Sequence, residues 1–241
     1  MRAAMECFTT FTGEDFNPLS PDIDKIKIED IAHSLSLMCR ANGHFSRFYS
    51  VAQHCINCAN EAEARDFSDR VQLACLLHDA SEAYMSDITR LVKKHLPVYI
   101  EAEEYLQNII YSKFLGTPLT DKEYSYVKQI DDDMLVCEFD ALMTKKVFER
   151  VVDIKSSPSF EFTNFSDIKA EFIRKYKRLS VHKKAALPLS TSQTKSNFLE
   201  DKKAAPPRVS YRRRTMSEAS VSRPSNLLAN KKSPQFAKKL W

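Results

Sequence analysis

The sequence predicts an all-α protein, and three observations lead to this prediction. Only three of the 241 residues are glycine, which argues against a turn-rich β protein. Apolar residues recur at helical spacing in several successive segments. Residues that cap helices precede many of these segments, and no alternating strand–helix pattern is present. We therefore expect a bundle of five or six helices, mostly antiparallel neighbours.

The chain is expected to open with an irregular arm at 1–27, which includes one short strand at Cys7–Thr12. A helical period starts at Ile28, where the helical domain, 28–182, begins. The first helix is predicted to stop near Gly43, because glycine is favoured just past a helix end.

The second and third predicted helices each follow a residue with a capping side chain. Ser50 precedes the second helix, and Asp66 or Ser68 precedes the third. The third helix is expected to continue through His78 to Glu82, since these two residues have the i, i+4 spacing of one helical face.

Three further elements complete the predicted domain. Pro97 suits the first turn of a fourth helix. Thr120–Glu123 forms a capping-box pattern that opens a long fifth helix, predicted to reach about Arg150. A loop with a possible short hairpin is expected at 151–165, and a last helix at Ser166–Val181.

The end of the chain, 183–241, differs from the rest in composition. It has 14 Lys and Arg against 3 Asp and Glu, whereas the remainder has 22 against 29. Few apolar residues are available there to offset the entropy of ordering, so a disordered basic tail is predicted. Such a tail is expected either to be a solvated extension or to bind nucleic acid or another polyanion.

The sequence carries no pattern for export or membrane insertion. The first residues lack an apolar signal region, and no apolar run approaches the roughly 18 residues of a membrane span. Six cysteines fit a reducing compartment. We therefore expect a cytoplasmic protein with no membrane contact.

Polar side chains interrupt three of the apolar helical stripes. His54 lies on the stripe of the second helix, His78-Asp79 on that of the third, and Asp131 on that of the fifth. A buried carboxylate is unfavourable unless it is paired or binds a cation. Each residue alone would be an ordinary core or capping residue, but together they indicate one divalent transition metal, of the group Mn, Co, Zn, Fe and Ni.

Asp131 is the first of three consecutive aspartates in the fifth helix. On a helical wheel it lies with Met134 and Leu135, whereas Asp132 and Asp133 point away from the inward stripe. Of the three aspartates, only Asp131 is therefore predicted to reach the metal.

Other candidate sites are weaker. Cys55 and Cys58 have CxxC spacing but lie inside a predicted helix, where a disulfide is disfavoured, and no second CxxC completes a zinc site. Both are predicted to be core cysteines. The pair Lys145-Lys146 is predicted to be a solvated face, while Lys93 is close enough to the motif to reach a phosphate.

The order His54, His78-Asp79, Asp131 resembles that of the HD-domain metal-dependent phosphohydrolases. The segments IEDIAHSLSLMCRANGHFSRFYSVAQHC (28–55), LLHDASEAYMSDITRLVKKHLP (76–97) and VKQIDDDMLVCEFDALM (127–143) are similar to short bacterial and phage HD proteins related to 5′-deoxynucleotidases. This resemblance covers about residues 5–180. It implies an HD-domain helical bundle that binds one ion, and commonly a dimer or larger homo-oligomer.

The resemblance also implies roles for other residues. Glu82 matches the family's catalytic glutamate, Arg40 its phosphate-binding arginine, and Asp87 an acid that contacts the sugar. The segment 86–91 lacks the glycine and prolines frequent in the family, and Ala41 stands where 5′-deoxynucleotidases carry tryptophan. Substrate specificity is therefore the property that the resemblance to the family predicts least well.

The implied function is hydrolysis of a nucleotide substrate. The first reading is a 5′-deoxynucleotidase that releases phosphate from deoxynucleoside monophosphates. The second is a triphosphohydrolase acting on dNTPs such as dATP. The third is a non-catalytic HD scaffold that binds a nucleotide or a partner, and whose polyanion-binding tail carries the function.

Overall fold

The computed structural model describes residues 6–185, with side chains through Val181. In this range the protein is predominantly helical, as predicted. Six helices of eight or more residues and two single-turn helices follow one another: α1 (Ile28–Leu37), α2 (Val51–Ala64), α3 (Asp69–Leu76), α4 (Glu82–Met85), α5 (Arg90–Lys93), α6 (Pro97–Leu115), α7 (Asp121–Leu142) and α8 (Phe165–Ala185). The predicted tail, apart from its first residues in α8, lies outside the described residues.

The N-terminal arm forms a small hairpin instead of one strand. Strands β1 (Phe8–Thr9) and β2 (Asp15–Phe16) pair antiparallel. The buried carboxylate of Asp30 in α1 accepts hydrogen bonds from the backbone N–H and the hydroxyl of Thr12, at 2.7 and 2.8 Å. These bonds hold the hairpin against the helical domain.

The capping residues read from the sequence are confirmed. The Ser50 hydroxyl accepts from the Gln53 N–H, and Ser68 caps α3 in the same way. Thr120 and Glu123 form a complete capping box at the start of α7. Pro97 occupies the first turn of α6.

One hydrophobic core joins the long helices. Helices α1, α2, α3 and α8 pack closely on one another, and α6 and α7 add apolar side chains from two further sides. Fully buried residues from five of these helices meet there: Leu35, Ala59, Leu76, Ile110 and Phe172. Within residues 6–185, no helix is both long and apolar enough to cross a membrane.

The first helix ends earlier than predicted, at Leu37 rather than near Gly43. The chain then turns extended, and Cys39 pairs with Ser50 in an isolated antiparallel bridge. The N–H of Arg40 donates to the Tyr49 carbonyl at 2.9 Å. These contacts with the segment before α2 replace the last predicted turn of α1.

The prediction of one continuous helix from the third stripe to Glu82 is wrong, because α3 ends at Leu76. The imidazole Nδ1–H of His78 donates to the Cys75 carbonyl at 2.7 Å. In a continuing helix this carbonyl would accept from the backbone N–H of residue 79 instead. The side-chain amide of Gln107 in α6 then bonds both the Leu77 carbonyl and the Ser81 N–H, at 2.8 and 3.0 Å. This turn separates the two halves of the predicted helix.

The predicted end of the fifth helix near Arg150 is also wrong. Helix α7 ends at Leu142, whose carbonyl accepts from the Ser46 N–H at 2.9 Å. The described segment 143–164 contains neither a helix nor the possible hairpin. A packed loop therefore connects α7 to α8.

Candidate metal centre

The imidazoles of His54 and His78 face each other beneath the turn that follows α3. Their Nε2 atoms are 3.1 Å apart. His54 comes from the middle of α2 and is fully buried, and the His78 side chain is 8% exposed. Helix α2 and the turn after α3 thus direct the same ring atom to one point.

The opposite ring nitrogens fix the protonation of both imidazoles. Nδ1 of His54 donates to the Glu138 carboxylate at 2.5 Å, and Nδ1 of His78 donates to the Cys75 carbonyl. In neutral imidazoles with Nδ1 protonated, both Nε2 atoms present lone pairs. Two lone pairs at 3.1 Å repel each other unless a proton or another cation lies between them.

Carboxylate oxygens of Asp79 and Asp131 lie next to the two Nε2 atoms. Oδ1 of Asp131 lies 3.3 Å from Nε2 of His54 and 3.7 Å from that of His78. Oδ1 of Asp79 lies 3.3 Å from Nε2 of His78. Donor atoms bound to one ion at about 2.1 Å are separated by roughly 3–3.4 Å at octahedral or tetrahedral angles, so a small ion fits with minor adjustment.

The pKa values of His78 and Asp131 are shifted by their neighbours in the cluster. Burial lowers the pKa of His78, but Asp79, Cys55 and Asp131 together outweigh it, and the pKa is well above its ordinary value. Burial raises the pKa of Asp131, but hydrogen bonds with His54 and His78 hold it well below its usual range. The cluster therefore favours positive charge between the imidazoles and negative charge on Asp131.

Two buried thiols also adjoin the cluster. Two groups have ligand atoms within 4.8 Å of one another and could hold a metal ion: His54, Cys58, His78, and Cys55, His78, Asp79. However, Sγ of Cys58 is 3.6 Å from Nε2 and 3.9 Å from Nδ1 of His54. Near-equal distances place the sulfur over the ring, not in line with the Nε2 lone pair. The carboxylates are therefore better placed as ligands than this thiol.

Glu82 begins α4, after the turn, and is 6% exposed. It does not share a helical face with His78, as the sequence spacing suggested, yet it lines the same cavity as Asp79. Its Oε2 is buried without a hydrogen-bond partner among the described residues. Burial, reinforced by Asp79 and Asp87, raises the pKa of Glu82 well above its ordinary value.

A cavity of about 820 Å³ opens above the cluster. Its lining includes the three residues assigned to substrate contact, Arg40, Asp87 and Lys93. Nη1 of Arg40 lies 3.2 Å from Oδ2 of Asp79, and Nζ of Lys93 lies 2.9 Å from Oε1 of Glu103. The structure therefore brings every predicted site residue to one cavity or to the cluster at its floor.

Arg40 reaches the cluster because its loop reverses direction. Ala41 and Asn42 adopt left-handed backbone angles, with φ of 52° and 50°. The Arg40 side chain is 11% exposed, and its Nε donates to Oε2 of Glu138 at 3.2 Å. Burial lowers the pKa of Arg40, but Glu138 and Asp79 raise it well above the ordinary value, so its charge is permanent.

Several site residues were missed by the sequence analysis. Glu138 is fully buried and bonds His54, Arg40 and the Tyr49 hydroxyl, the last at 3.0 Å. Its spacing of seven residues from Asp131, two helical turns on the same face, was the available signal. Arg90 donates to Oδ2 of Asp131 at 2.7 Å and also lines the cavity.

Two expectations about charged residues require correction. Asp133 does not point to solvent: it is 5% exposed and pairs with Arg65 at 3.1 Å and with Arg150. Lys145 and Lys146 are exposed, as predicted, but they also line the cavity. Asp133 therefore belongs to a buried ion pair, and Lys145 and Lys146 belong to the site.

The fold and the cluster define an α-helical protein with a group of histidine, cysteine and aspartate side chains that could hold a metal ion. No protein-family model matches the chain. The chain is 38% identical to the uncharacterised protein YfdR of Escherichia coli (strain K12) over 126 residues, which are 52% of this chain and 68% of YfdR. It belongs to the same family as YfdR.

A second relative is an uncharacterised protein of Rhodobacter capsulatus. It is 35% identical over 113 residues, which are 44% of this chain and 57% of that protein. Neither relative has an assigned activity, so the function of the site is argued from its own geometry.

Proposed function

We propose that the protein is an HD-domain phosphohydrolase that removes the 5′-phosphate from deoxynucleoside monophosphates with the help of one divalent transition metal ion. The observation that supports this most is the pair of facing Nε2 atoms, 3.1 Å apart, with carboxylate oxygens of Asp79 and Asp131 beside them. Because both Nδ1 atoms donate to other groups, the space between the two Nε2 atoms suits a cation, and a bound metal ion would supply it.

His54, His78, Asp79 and Asp131 are the proposed ligands. Imidazole and carboxylate donors suit Mn, Co, Zn, Fe or Ni. Bound there, such an ion supplies Lewis-acid chemistry, which polarises a phosphoryl oxygen and makes water easier to deprotonate.

Arg40 is the proposed phosphate-binding group. Its guanidinium is held by Glu138 and faces Asp79, so it is already oriented toward the cluster. A planar guanidinium can bind two phosphoryl oxygens at once, and it stabilises the charge that they carry during transfer. Lys93, from α5, adds a second positive charge to the same cavity.

Glu82 is the proposed general acid. Burial raises its pKa well above the ordinary value, which favours the protonated carboxyl, and its unpartnered Oε2 has no competing hydrogen bond among the described residues. A protonated carboxyl can donate its proton to the leaving oxygen of the sugar. The deprotonated form can then accept a proton from the attacking water, which restores the starting state.

Asp87 is the proposed sugar contact. It lines the cavity near Glu82, and burial raises its pKa above the ordinary value. A carboxyl group there can hydrogen-bond to a deoxyribose hydroxyl, in either protonation state.

The two other functions make different demands on the same cavity. A dNTP triphosphohydrolase must accommodate three phosphates next to the cluster, and its products are a nucleoside and tripolyphosphate. A non-catalytic scaffold has no need for a buried glutamate with an unpartnered oxygen, so Glu82 favours an enzyme.

Product analysis on a panel of dNMP, dNTP, NMP and NTP tests the proposal. We expect phosphate and deoxynucleoside from dNMP when Mn²⁺ or Co²⁺ is supplied. Asp79→Ala should abolish this release while the circular dichroism spectrum stays helical, and Asp140→Ala, on the exposed side of α7, should retain it. Absence of hydrolysis of every nucleotide with every metal of the group would contradict the proposal.

We further propose that the basic segment 183–241 binds polyanions independently of catalysis. It carries the excess positive charge of the chain. A chain truncated at Lys183 should lose retention on heparin and keep its turnover, whereas retention by the truncated chain would contradict the assignment. Homo-oligomerisation stays a prediction that sedimentation of the full chain can test.

A further inference from the structure

One residue beside the cavity has a backbone conformation that residues other than glycine rarely adopt. Ser86, directly after α4, has φ of 78° and ψ of 150°. Ala41 and Asn42 also have positive φ, but with ψ of 33° and 30° they lie in the ordinary left-handed helical region. The angles of Ser86 belong to a region that is essentially restricted to glycine, because a Cβ atom crowds the backbone there. Contacts around Ser86 are therefore needed to hold this backbone in place.

Ser86 separates two groups of the proposed site. Glu82 and Asp87 line the cavity, whereas Ser86 is exposed and does not line it. The Ser86 N–H donates to the Glu82 carbonyl at 2.8 Å and closes the single turn of α4. The Ser86 carbonyl and the Asp87 N–H belong to one planar peptide group, so the angles of Ser86 set the direction in which the chain enters Asp87.

The Ser86 carbonyl is bonded by a residue from another helix. Tyr99, in the first turn of α6, donates its hydroxyl proton to this carbonyl at 2.7 Å. The Met85 carbonyl and Oε1 of Glu103 lie farther from the hydroxyl, at 3.2 and 3.3 Å. A hydroxyl has one proton to donate, and the nearest acceptor receives it. This bond fixes the peptide group that precedes Asp87.

Helix α6 also anchors the other end of the segment that follows Ser86. Oε1 of Glu103, one turn after Tyr99, accepts from Nζ of Lys93 at 2.9 Å. The segment between the two anchors supplies one wall of the cavity, with the lining residues Asp87, Ile88, Thr89, Arg90 and Lys93. A change in the backbone at Ser86 therefore moves the start of this wall.

We infer that Tyr99 is a positioning residue that acts through Ser86, since its hydroxyl holds the strained backbone that places Asp87 in the cavity. The inference rests on the proposed function, in which Asp87 contacts the sugar. Tyr99 does not itself line the cavity, so it acts without touching the substrate. Without this bond, Ser86 relaxes to negative φ and carries Asp87 away from Glu82.

Two substitutions at position 86 separate positioning from a general structural role. Glycine adopts the same angles without a crowded Cβ atom, so a chain with Ser86→Gly needs the Tyr99 bond less. Ser86→Ala removes the exposed hydroxyl but keeps the Cβ atom, and it needs the bond as much as the wild type does. The cost of Tyr99→Phe is therefore compared within each of the three backgrounds.

The test measures kcat/KM for a dNMP with Mn²⁺ present. Tyr99→Phe should lower kcat/KM about fivefold in the wild-type background, the effect of one lost hydrogen bond. It should have the same effect in Ser86→Ala and a much smaller effect in Ser86→Gly. Tyr105→Phe, at an exposed position of α6, is the control and should leave kcat/KM unchanged.

A crystal structure of Tyr99→Phe gives a second readout that needs no turnover. It should show Ser86 at negative φ and the Asp87 carboxyl turned out of the cavity. Unchanged Ser86 angles with Asp87 still in the cavity would overturn the inference, as would an effect of Tyr99→Phe that is absent or is equal in all three backgrounds. Each of these results leaves the proposed function intact. If the wild type hydrolyses no nucleotide with any metal of the group, the proposed function fails, and the crystal structure still decides whether Tyr99 holds Ser86.

Discussion

Nδ1 of His54 donates a hydrogen bond to Oε1 of Glu138 across 2.5 Å, between residues 84 positions apart in the chain. The same carboxylate accepts from the Tyr49 hydroxyl and from Nε of Arg40. One buried glutamate therefore orients both a proposed metal ligand and the proposed phosphate-binding arginine.

Glu138→Gln should weaken metal binding about tenfold or more, because the amide no longer fixes the His54 ring through a charged acceptor. Competition with a fluorescent chelator for Zn²⁺ or Co²⁺ measures this change. Glu104→Gln, an exposed α6 position, is the matched control. A wild-type dissociation constant in Glu138→Gln would show that the bond does not orient the ligand.

Arg90→Ala should also lower metal affinity, by a few-fold. Arg90 bonds Oδ2 of Asp131 and Oδ1 of Asp132, each at 2.7 Å, and so leaves Oδ1 of Asp131 to face the imidazoles. Arg90→Lys should recover part of the loss, since one ammonium can bond Asp131.

The control for Arg90 is Lys128→Ala. Lys128 contacts Asp132 at 3.1 Å but has no bond with Asp131 in the described structure. The visible spectrum of bound Co²⁺ should change in Arg90→Ala and not in Lys128→Ala. Identical spectra and affinities in all variants would exclude the orienting role.

Glu82→Gln should reduce kcat by about 100-fold, the usual effect of removing a general acid or base. In the wild type the raised pKa of Glu82 means that the active, protonated form is lost as pH rises through that pKa. Activity should therefore decline on the alkaline side, and this limb should disappear from the residual activity of Glu82→Gln. A variant that kept the wild-type alkaline limb would show that another group titrates.

Glu61→Gln should lower the free energy of unfolding by about 2–4 kcal/mol at neutral pH. The fully buried Glu61 carboxylate accepts from the backbone N–H groups of Lys155 and Ser156, from the Ser156 hydroxyl and from Arg65. Urea denaturation measures the change, with the exposed Glu101→Gln as control. An unchanged unfolding midpoint would mean that these bonds add nothing to stability.

The same glutamate gives stability a defined pH dependence. Burial raises the pKa of Glu61, but the bonds from Ser156 and Lys155 outweigh it and lower the pKa below its ordinary value. Its contribution is thus complete above the unfolded pKa of about 4.3 and is lost as pH falls through the folded pKa. The difference between wild type and Glu61→Gln should shrink on acidification.

Local patterns in the sequence predicted much of the fold and the centre of the site. The caps at Ser50, Ser68 and Thr120 depend on neighbours within three residues, and the structure has all three. His54 and Asp131 interrupt apolar stripes, which periodicity alone detects. Such features can be read without knowledge of tertiary contacts.

The parts that were not predicted depend on contacts between distant segments. The end of α3 depends on the His78 side chain and on Gln107 from another helix, and the end of α7 on Ser46. The role of Glu138 depends on His54, and the burial of Asp133 on Arg65 and Arg150. Apart from His78, none of these partners lies within a helical turn of the residue that it affects.

The Gln107 amide has a consequence for how mutations in this protein are to be interpreted. It occupies a helix that contributes none of the proposed ligands, yet it bonds the Leu77 carbonyl and the Ser81 N–H, which would bond each other if α3 continued. The Leu77 carbonyl also accepts from the Ala80 N–H, at 3.0 Å, but the Ser81 N–H depends on this one side chain for its partner. A genetic screen for lost metal binding should therefore recover Gln107 among its hits, although it touches neither the metal cluster nor the cavity.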